Sequence, residues 1–478
     1  MPFVKHILPV TLFLLFALPA FAQQEGITDP AQVVPVPARG KPTNGTTYID
    51  PTFSTRIQRV SGASDTGGWG SHVYSQLQAF SPDNRYILLI ENSTYLVRRL
   101  ADQATMPANT ASMNSIRWEP TEPHTLIFFD SNADDRVRVQ TLNVETNVLN
   151  TVYTFPAQYT SVAVNTSYEE PSRDGRWMAA LLTRTNGQRY IAAADLENGQ
   201  LGAVLSIAAL YDTVCTPHPT WGNVEPDWIG ISPLGNYLMV QWGNGTNRCN
   251  GLEAFNVATG AFVGQTYDRR EHGDLGSDND GSEIFMTVAL SSPQDPNRPA
   301  MVKYTLPGNS NPPQPAYLLV VDWATNHHIS CQGPAGYCLV SYGGWDDGVW
   351  RPLENELFLI YTDGAVRRIA HHRSTQCGYW VQPRATISQD GSLVAFASDW
   401  GDGCQSSGGN GDTYVLSLTI WNDAADVNGD GIISPADTIY VINRIGNNSA
   451  TEADVDGNGV VDDRDAQQII NLLGEREP

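Results

Sequence analysis

The chain has 478 residues, of which 41% are hydrophobic, so it is long enough for more than one domain and apolar enough to form a core. Acidic residues outnumber basic ones by 51 to 28, which gives a formal net charge of −23. Because nucleic-acid binding needs clustered basic charge, this composition excludes a typical nucleic-acid-binding protein. The abundance of Gly, Pro, Trp and Tyr is typical of a turn-rich β protein.

Residues 1–22 have the pattern of a secretory signal peptide. Lys5 and His6 precede an apolar run that ends at the small-x-small stretch Ala20-Phe21-Ala22, as before a cleavage site. The run is shorter than the roughly 20 residues that a membrane-spanning helix needs. We therefore predict a secreted, extracellular protein without a membrane span, which a scaffold could attach to the cell surface. Residues 23–47, rich in proline and without periodicity, are predicted to be a linker or a loosely held N-terminal arm.

Six cysteines are consistent with an oxidising compartment. Their proximity in sequence favours the pairs Cys215–Cys249, Cys331–Cys338 and Cys377–Cys404. Since no Cys-x-x-Cys spacing occurs, we interpret the cysteines as disulfides that fasten loops rather than as zinc ligands.

One hairpin pattern recurs throughout residues 48–422. A short strand ends in a turn rich in Ser, Pro, Asp and Gly, and an apolar strand follows, because these residues favour the backbone angles of tight turns. Seven copies are FSPDNRYILLI (80–90), WEPTEPHTLIFF (118–129), PSRDGRWMAALL (171–182), ISPLGNYLMVQW (231–242), GSDNDGSEIFMTV (276–288), WRPLENELFLIY (350–361) and ISQDGSLVAFAS (387–398).

These copies resemble the repeats of TolB-like and WD-repeat-like β-propellers. Blades in such folds take roughly 40–50 residues each. The resemblance implies a mainly β protein whose main domain, residues 48–422, is a propeller of about seven blades; six or eight blades remain open. A β-sandwich is disfavoured because sandwiches do not repeat one hairpin signature in this way.

The acidic tail, residues 423–478, contains two matched twelve-residue loops, DVNGDGIISPAD (426–437) and DVDGNGVVDDRD (454–465). Calcium takes six to eight oxygen ligands, and such a loop supplies them from positions 1, 3, 5, 7, 9 and 12. We expect each loop to open a helix, the first with Ile439, Ile442 and Ile445 along one face. The predicted ligands of two calcium ions are Asp426, Asn428, Asp430, Ile432, Ser434 and Asp437 in the first loop, and Asp454, Asp456, Asn458, Val460, Asp462 and Asp465 in the second.

Asp rather than Glu at position 12, with no clear helix before either loop, makes this tail resemble a type I dockerin domain. The resemblance implies calcium-dependent docking to a cohesin module of a scaffold protein, and hence a setting of polysaccharide breakdown. At loop positions 10 and 11, where the family reads the cohesin, the sequence has Pro435-Ala436 and Asp463-Arg464.

Propellers bind ligands where loops converge at the channel mouth, so we expect a site upstream of the repeated turns. His272, Asp274 and Arg384 are the candidate catalytic residues. His72, Asp227, His372 and Gln382 are the candidate ligand-binding residues. This polar set suits sugars or uronates. The stretch 371–391, with His371, His372 and Gln382, loosely resembles the metal-binding segment of propeller-type oligogalacturonate lyases, but Pro383 and Arg384 stand where that family has histidines.

Three functions are consistent with these features. The favoured one is a secreted propeller that binds or helps break down polysaccharides and is delivered by its dockerin domain. The second is an enzyme, either a polysaccharide lyase or a glycoside hydrolase. The third is a scaffold whose propeller binds another protein.

Overall fold

The computed structural model describes residues 27–474 except 109, 111–112, 131–135, 164–166, 169, 244, 246, 309–313, 324–325, 346, 402–409, 419–426, 428–434, 448–449, 451–452 and 456–459. The predicted signal peptide, Cys404 and seven of the predicted calcium ligands therefore lie outside the described residues. The chain divides into two compact units, with the boundary between Ile420 and Trp421.

The first unit is a seven-bladed β-propeller. Two early strands, β1 (Thr47–Ile49) and β2 (Arg56–Arg59), belong to the last blade. Blade 1 contains β3 (Gly70–His72), β4 (Tyr86–Glu91) and β5 (Thr94–Arg99), and blade 2 contains β6 (Asn114–Trp118), β7 (Thr125–Asp130), β8 (Arg138–Asn143) and β9 (Leu149–Thr154). Blade 3 contains β10 (Tyr159–Val162), β12 (Trp177–Arg184), β13 (Arg189–Asp195) and β14 (Gln200–Ser206). Strand β11 (Ser167–Tyr168), which lies between β10 and β12 in the chain, belongs to blade 4.

The remaining blades follow helix α1 (Ile207–Thr213). Blade 4 contains β15 (Pro226–Ile231), β16 (Tyr237–Trp242), β17 (Leu252–Asn256) and β18 (Phe262–Tyr267); blade 5 contains β19 (Gly273–Ser277), β20 (Glu283–Ala289), β21 (Ala300–Thr305) and β22 (Ala316–Val320). Blade 6 contains β23 (His327–Ser330), β24 (Tyr337–Tyr342), β25 (Glu356–Tyr361) and β26 (Val366–His371); blade 7 contains β27 (Thr386–Ile387), β28 (Leu393–Ser398) and β29 (Asp412–Ser417). Short 3₁₀ turns lie at Ala63–Thr66 and Tyr379–Val381.

Successive strands within a blade run antiparallel, and β2 pairs with β29, so strands from both ends of the unit complete the last blade and close the ring. The innermost strands all begin on one face, here called the upper face, and end in the repeated turns on the lower face. Apolar clusters fill the space between neighbouring blades; one, for example, joins Leu181 and Ile191 of blade 3 to Ile229 and Val240 of blade 4.

The Ser-Pro-Asp-Gly turns have one hydrogen-bonding pattern. In blade 1 the Ser81 hydroxyl donates to Asp83 Oδ1 at 2.7 Å and accepts from the N–H of Tyr86 at 3.0 Å. Ser172 in blade 3 and Ser388 in blade 7 make the same pair of bonds. A side chain that bonds its own turn in this way fixes where the second strand starts.

Six of the seven predicted hairpins join the first two main strands of a blade, but the prediction for residues 350–361 was wrong. That segment contains part of the loop between β24 and β25 and then β25 itself. The inner hairpin of blade 6 is instead formed by β23 and β24, and the predicted disulfide Cys331–Cys338 spans its turn. The sequence pattern missed this turn because a disulfide takes the place of the Ser and Asp side-chain bonds.

The second predicted disulfide, Cys215–Cys249, links the loop after α1 to the loop between β16 and β17. Cys377 is also disulfide-bonded. Its predicted partner, Cys404, lies outside the described residues.

The described part of the N-terminal arm, residues 27–46, is fastened to blades 6 and 7 through its main chain. Side chains of Arg59, Arg368, His371, Arg373 and Trp400 bond to its carbonyl oxygens. The acceptors are those of Asp29, Gln32, Val34, Pro37, Arg39 and Pro42. Lys41 adds an ion pair with the buried Asp412 at 2.9 Å.

The second unit contains α2 (Pro435–Ile442) and α3 (Asp463–Gly474). Its small core is built largely from Val and Ala residues, such as Val427, Val441 and Ala453, together with Ile469. Ile439, Ile442 and Ile445 are exposed. The apolar face expected on the first helix therefore lies on the surface of this unit.

Candidate functional site

A cavity of about 410 Å³ opens on the upper face at blades 4, 5 and 6. It lies where β15, β19 and β23 begin, because each of these innermost strands starts on that face. The structure thus brings together two of the predicted residues, Asp227 and His272. The charged and aromatic lining residues are Asp227, Arg270, Glu271, His272, Trp323, His327 and Tyr342.

The groups in this cavity are of mixed charge. Arg270 pairs with Asp227 at 2.7 Å. Burial raises the pKa of the Glu271 carboxyl. His272 is exposed, and its Nδ1 lies 3.2 Å from the carbonyl oxygen of His327. Burial lowers the pKa of His327 to about 4, so that ring is neutral at physiological pH.

Exposed tryptophans lie on the same face of these blades. Trp221, Trp323 and Trp345 are 62%, 49% and 46% exposed. All three lie in loops of the upper face, on blades 4 to 6. The Nε1 of Trp345 donates to the carbonyl of Trp323 at 2.7 Å, and Trp221 stacks on His218 at 4.1 Å, so these rings are held in fixed positions. Exposed aromatic rings beside a pocket are characteristic of ligand-binding surfaces.

A second aromatic group lies on the upper face at blades 7 and 1. Trp69 and Trp380 stack with their ring centroids 3.8 Å apart, and Tyr379 meets Trp380 edge to face. The predicted residue Arg384 lies beneath these rings, 4.3 Å from the centroid of Tyr379. His72, also predicted, is fully buried nearby, and burial, with the charge of Arg384, lowers its pKa to about 3.

Hydrogen bonds between distant blades cross the channel below the upper face. The Gln76 amide donates to the carbonyl of Gly273, and the Gln332 amide donates to the carbonyl of Gln76. The predicted catalytic residue Asp274 belongs to this network: its carboxylate accepts from the N–H of Cys331 at 2.6 Å and from the Gln332 amide at 3.2 Å. Asp274 is completely buried, and these bonds fasten blade 5 to blade 6.

The other predicted ligand-binding residues lie elsewhere. His372 is buried, with Nε2 donating to the carbonyl of Tyr342 and Nδ1 accepting from the N–H of Ser374. Gln382 is half-buried and follows the 3₁₀ turn Tyr379–Val381. The Nε2 of His371 donates to the carbonyl oxygen of Val34 in the N-terminal arm. Within the residues that the structure describes, no group of three or more His, Cys, Asp or Glu side chains could hold a metal ion.

Sequence reasoning missed His327, His328 and Trp323. All three precede or begin the inner strand of blade 6, whose turn was assigned to the wrong segment. The His327-His328 dipeptide just before an apolar strand was the available signal. His328 is buried and stacks on His272 at 5.0 Å, so it supports the exposed ring from behind.

In the C-terminal unit the structure describes five of the twelve predicted calcium ligands: Asp437, Asp454, Val460, Asp462 and Asp465. The carboxylates at position 12, Asp437 and Asp465, are fully buried. Asp465 accepts from the N–H groups of Val455 and Asp462 at 2.7 and 2.8 Å, so its charge is held inside the second loop. Buried carboxylates in oxygen-rich loops fit a hard cation such as calcium.

The class of this second unit follows from its sequence match. Residues 424–474 match the family model of the type I dockerin domain. The protein is thus a seven-bladed β-propeller that carries a C-terminal type I dockerin domain. Type I dockerin domains bind calcium and imply a cohesin partner. In the described part of the chain, no helix has the length and apolar character needed to cross a membrane.

The propeller is similar to solved structures at the level of the fold. An oligogalacturonate lyase from Vibrio parahaemolyticus has a TM-score of 0.52 and 10% identity, covering 78% of this chain and 97% of that one. An oligogalacturonate lyase in complex with manganese has a TM-score of 0.52 and 12% identity, covering 83% and 98%. A putative TolB from Agrobacterium tumefaciens has a TM-score of 0.32 and 11% identity, covering 73% and 91%. No curated protein has significant sequence similarity to the chain.

Proposed function

We propose that the protein is secreted, binds polysaccharide on the upper face of its propeller, and is docked to a cohesin-bearing scaffold through its dockerin domain. The observation that carries the proposal is the 410 Å³ cavity with exposed tryptophans beside it. Sugar rings have apolar faces that stack on aromatic rings and hydroxyl groups that bond to charged side chains. Trp323 and the pair Asp227–Arg270 supply both kinds of group in one cavity.

The experiment is a comparison of two aromatic substitutions. Trp323→Ala removes a ring from the cavity and should weaken polysaccharide binding by about 1–2 kcal/mol, roughly five- to thirtyfold in Kd. Tyr317→Ala is the matched control, because Tyr317 is 37% exposed but lies on outer strand β22, near the lower face. Equal affinities of the two variants would reject the cavity as the binding site.

A catalytic propeller is the second candidate, favoured by the exposed His272 beside the neutral His327 in the cavity. The exposed imidazole of His272 is accessible to a ligand in the cavity and could transfer a proton there, as a lyase or a hydrolase requires. The fold similarity to oligogalacturonate lyases supports the same candidate. Under this hypothesis the protein releases unsaturated or reducing ends, and His272→Ala abolishes that release while polysaccharide binding persists.

For docking, we propose that two calcium ions fix the dockerin loops and that the exposed face of α2 contacts the cohesin. Calcium would be held by the loop carboxylates and carbonyls, including Asp437 and Asp465, and would supply only rigidity. Ile439, Ile442 and Ile445 present apolar surface that a partner could cover. Ile442→Asp should then abolish calcium-dependent binding to a cohesin module while leaving the helical content of the unit unchanged.

A further inference from the structure

Arg384 is a buried cation in an unusual environment. Its side chain is fully buried, and its Nη2 donates to the Ser71 hydroxyl at 2.7 Å. Its Nε has no hydrogen-bond partner, and it forms no ion pair with any carboxylate of the described residues. The buried Arg368, by contrast, pairs with the buried carboxylate of Glu356. A buried guanidinium without a counter-charge is costly, because it loses its hydration without a compensating ion pair.

The backbone at Arg384 is strained as well. Its φ angle is +41°, in the left-handed region that residues with a side chain rarely adopt. A residue keeps a strained backbone and an uncompensated buried charge only where the surrounding structure imposes both. Residues of this kind are frequent at functional sites.

The surroundings of Arg384 leave its positive charge unbalanced. The rings of Tyr379 and Trp380 lie 4.3 and 5.3 Å from its guanidinium carbon and offset part of the cost through their electron-rich faces. Burial, with the charge of Arg384 as a smaller cause, lowers the pKa of both His72 and His328, so neither imidazole adds a second positive charge. Tyr379 is 51% exposed, so the guanidinium lies only one side chain below the surface.

We propose that Arg384 recognises an anionic group of the ligand, and hence that the polysaccharides bound on the upper face carry carboxylate or sulfate groups. This inference rests on the proposed saccharide-binding function and specifies its ligand class. The ligand's charged group would reach Arg384 beside Tyr379, with the sugar ring lying against the Trp69–Trp380 pair. Arginine favours such groups because its planar fork can donate two parallel hydrogen bonds.

The test measures the Kd of the full-length protein for three oligosaccharides with one backbone: neutral glucose oligomers, their 6-carboxylated forms and their 6-sulfated forms. Charge-assisted hydrogen bonds should make an acidic form bind at least about tenfold more tightly than the neutral one. Raising the salt concentration should reduce this preference. Comparison of the Kd values of the carboxylated and the sulfated oligosaccharides identifies which anion is preferred.

Two substitutions assign the preference to this residue. Arg384→Gln should remove it and leave the Kd for the neutral oligomer unchanged. Arg384→Lys keeps the charge and should retain part of the preference for the acidic oligosaccharides. This variant replaces Arg384→Gln in the test if the glutamine variant does not fold. Arg99→Gln is the control, since the side chain of Arg99 is 40% exposed, is paired with Asp102 and lies at the lower end of β5, away from the proposed binding surface.

Each failure has a distinct meaning. If the neutral oligomer binds as tightly as both acidic forms, or if Arg384→Gln keeps the preference, this inference is wrong and the proposed function stands. If no oligosaccharide binds, the proposed function is wrong and the inference falls with it.

Discussion

The side chain of Glu170 lies at the lower end of the central channel and is only 12% exposed. Its Oε1 accepts from the N–H of Gln78 at 2.6 Å, and the nearest guanidinium, that of Arg117, is 4.0 Å away. Burial raises its pKa from 4.5 to about 7, because these two partners do not offset the loss of hydration.

Glu170→Gln should therefore stabilise the propeller in a pH-dependent way. Below pH 4.5 the carboxyl is protonated in both the folded and the unfolded state, so the substitution should have little effect. Between pH 4.5 and 7 the unfolded state ionises first and the wild type loses stability, by up to about 3 kcal/mol. Denaturant unfolding should show the variant to be more stable above pH 7 and equal near pH 4, whereas Glu197→Gln, at an exposed position, should follow the wild type throughout.

Two of the predicted site residues lie in the cavity because the repeated turns that follow them in the chain mark the inner strands correctly. Asp227 and His272 each precede or begin an inner strand whose turn has the Ser, Pro, Asp and Gly residues of the repeat, and both line the cavity. Trp323 and His327 were missed because a disulfide closes the turn of blade 6. The burial of Asp274 depends on its contacts with Cys331 and Gln332 of another blade, which spacing along the chain does not reveal.

At the scale of elements, we expect the N-terminal arm to stabilise blades 6 and 7. Deleting residues 27–43 should lower the free energy of unfolding by about 3 kcal/mol or more, because the buried donors of Arg59, Arg368 and Arg373 lose their carbonyl acceptors. Val33→Ala is the control: these bonds use the main chain, so shortening an exposed side chain should have almost no effect on thermal unfolding. A deletion no more destabilising than Val33→Ala would show that the arm does not hold the blades.

The dockerin unit should depend on calcium, whereas the propeller should not. Chelation should unfold the C-terminal unit, since metal-binding energy contributes directly to the stability of so small a core. Calorimetry should show one transition that moves with calcium and one that does not. Asp465→Asn should lower the first transition, and Asp463→Asn, at an exposed position of the same helix, should not. A single transition that ignores chelator would contradict two calcium loops.

For the C-terminal unit, loop spacing predicted the two helices, but not which residues would be buried. The sequence periodicity marked Ile439, Ile442 and Ile445 as one face of a helix, and the structure leaves that face exposed. The core is filled instead by residues of the loops and of the opposite face, such as Val441, Val455 and Val461. Periodicity identifies a face, but only the packing of the other elements decides whether it is covered.

At the scale of the whole molecule, the repeated segments predicted a propeller of about seven blades, because one such segment falls in each blade and six of the seven turns join its first two main strands. The pairing of β1 and β2 with β29 has no comparable local signal, since it joins strands from opposite ends of the unit. The channel-crossing bonds of Gln76 and Gln332 are equally invisible in the sequence. They arise only when all seven blades are assembled.

The measurement that tests the central claim most directly is a polysaccharide panel with the mature, full-length protein, following binding and product release together, with and without chelator. We expect at least one polysaccharide to bind, with binding weakened by Trp323→Ala, unaffected by Tyr317→Ala and unaffected by chelator, because the cavity belongs to the propeller. The release of new unsaturated or reducing ends would show that the propeller also cleaves the polysaccharide that it binds. No binding to any polysaccharide, together with a protein partner that co-purifies through the propeller, would contradict it.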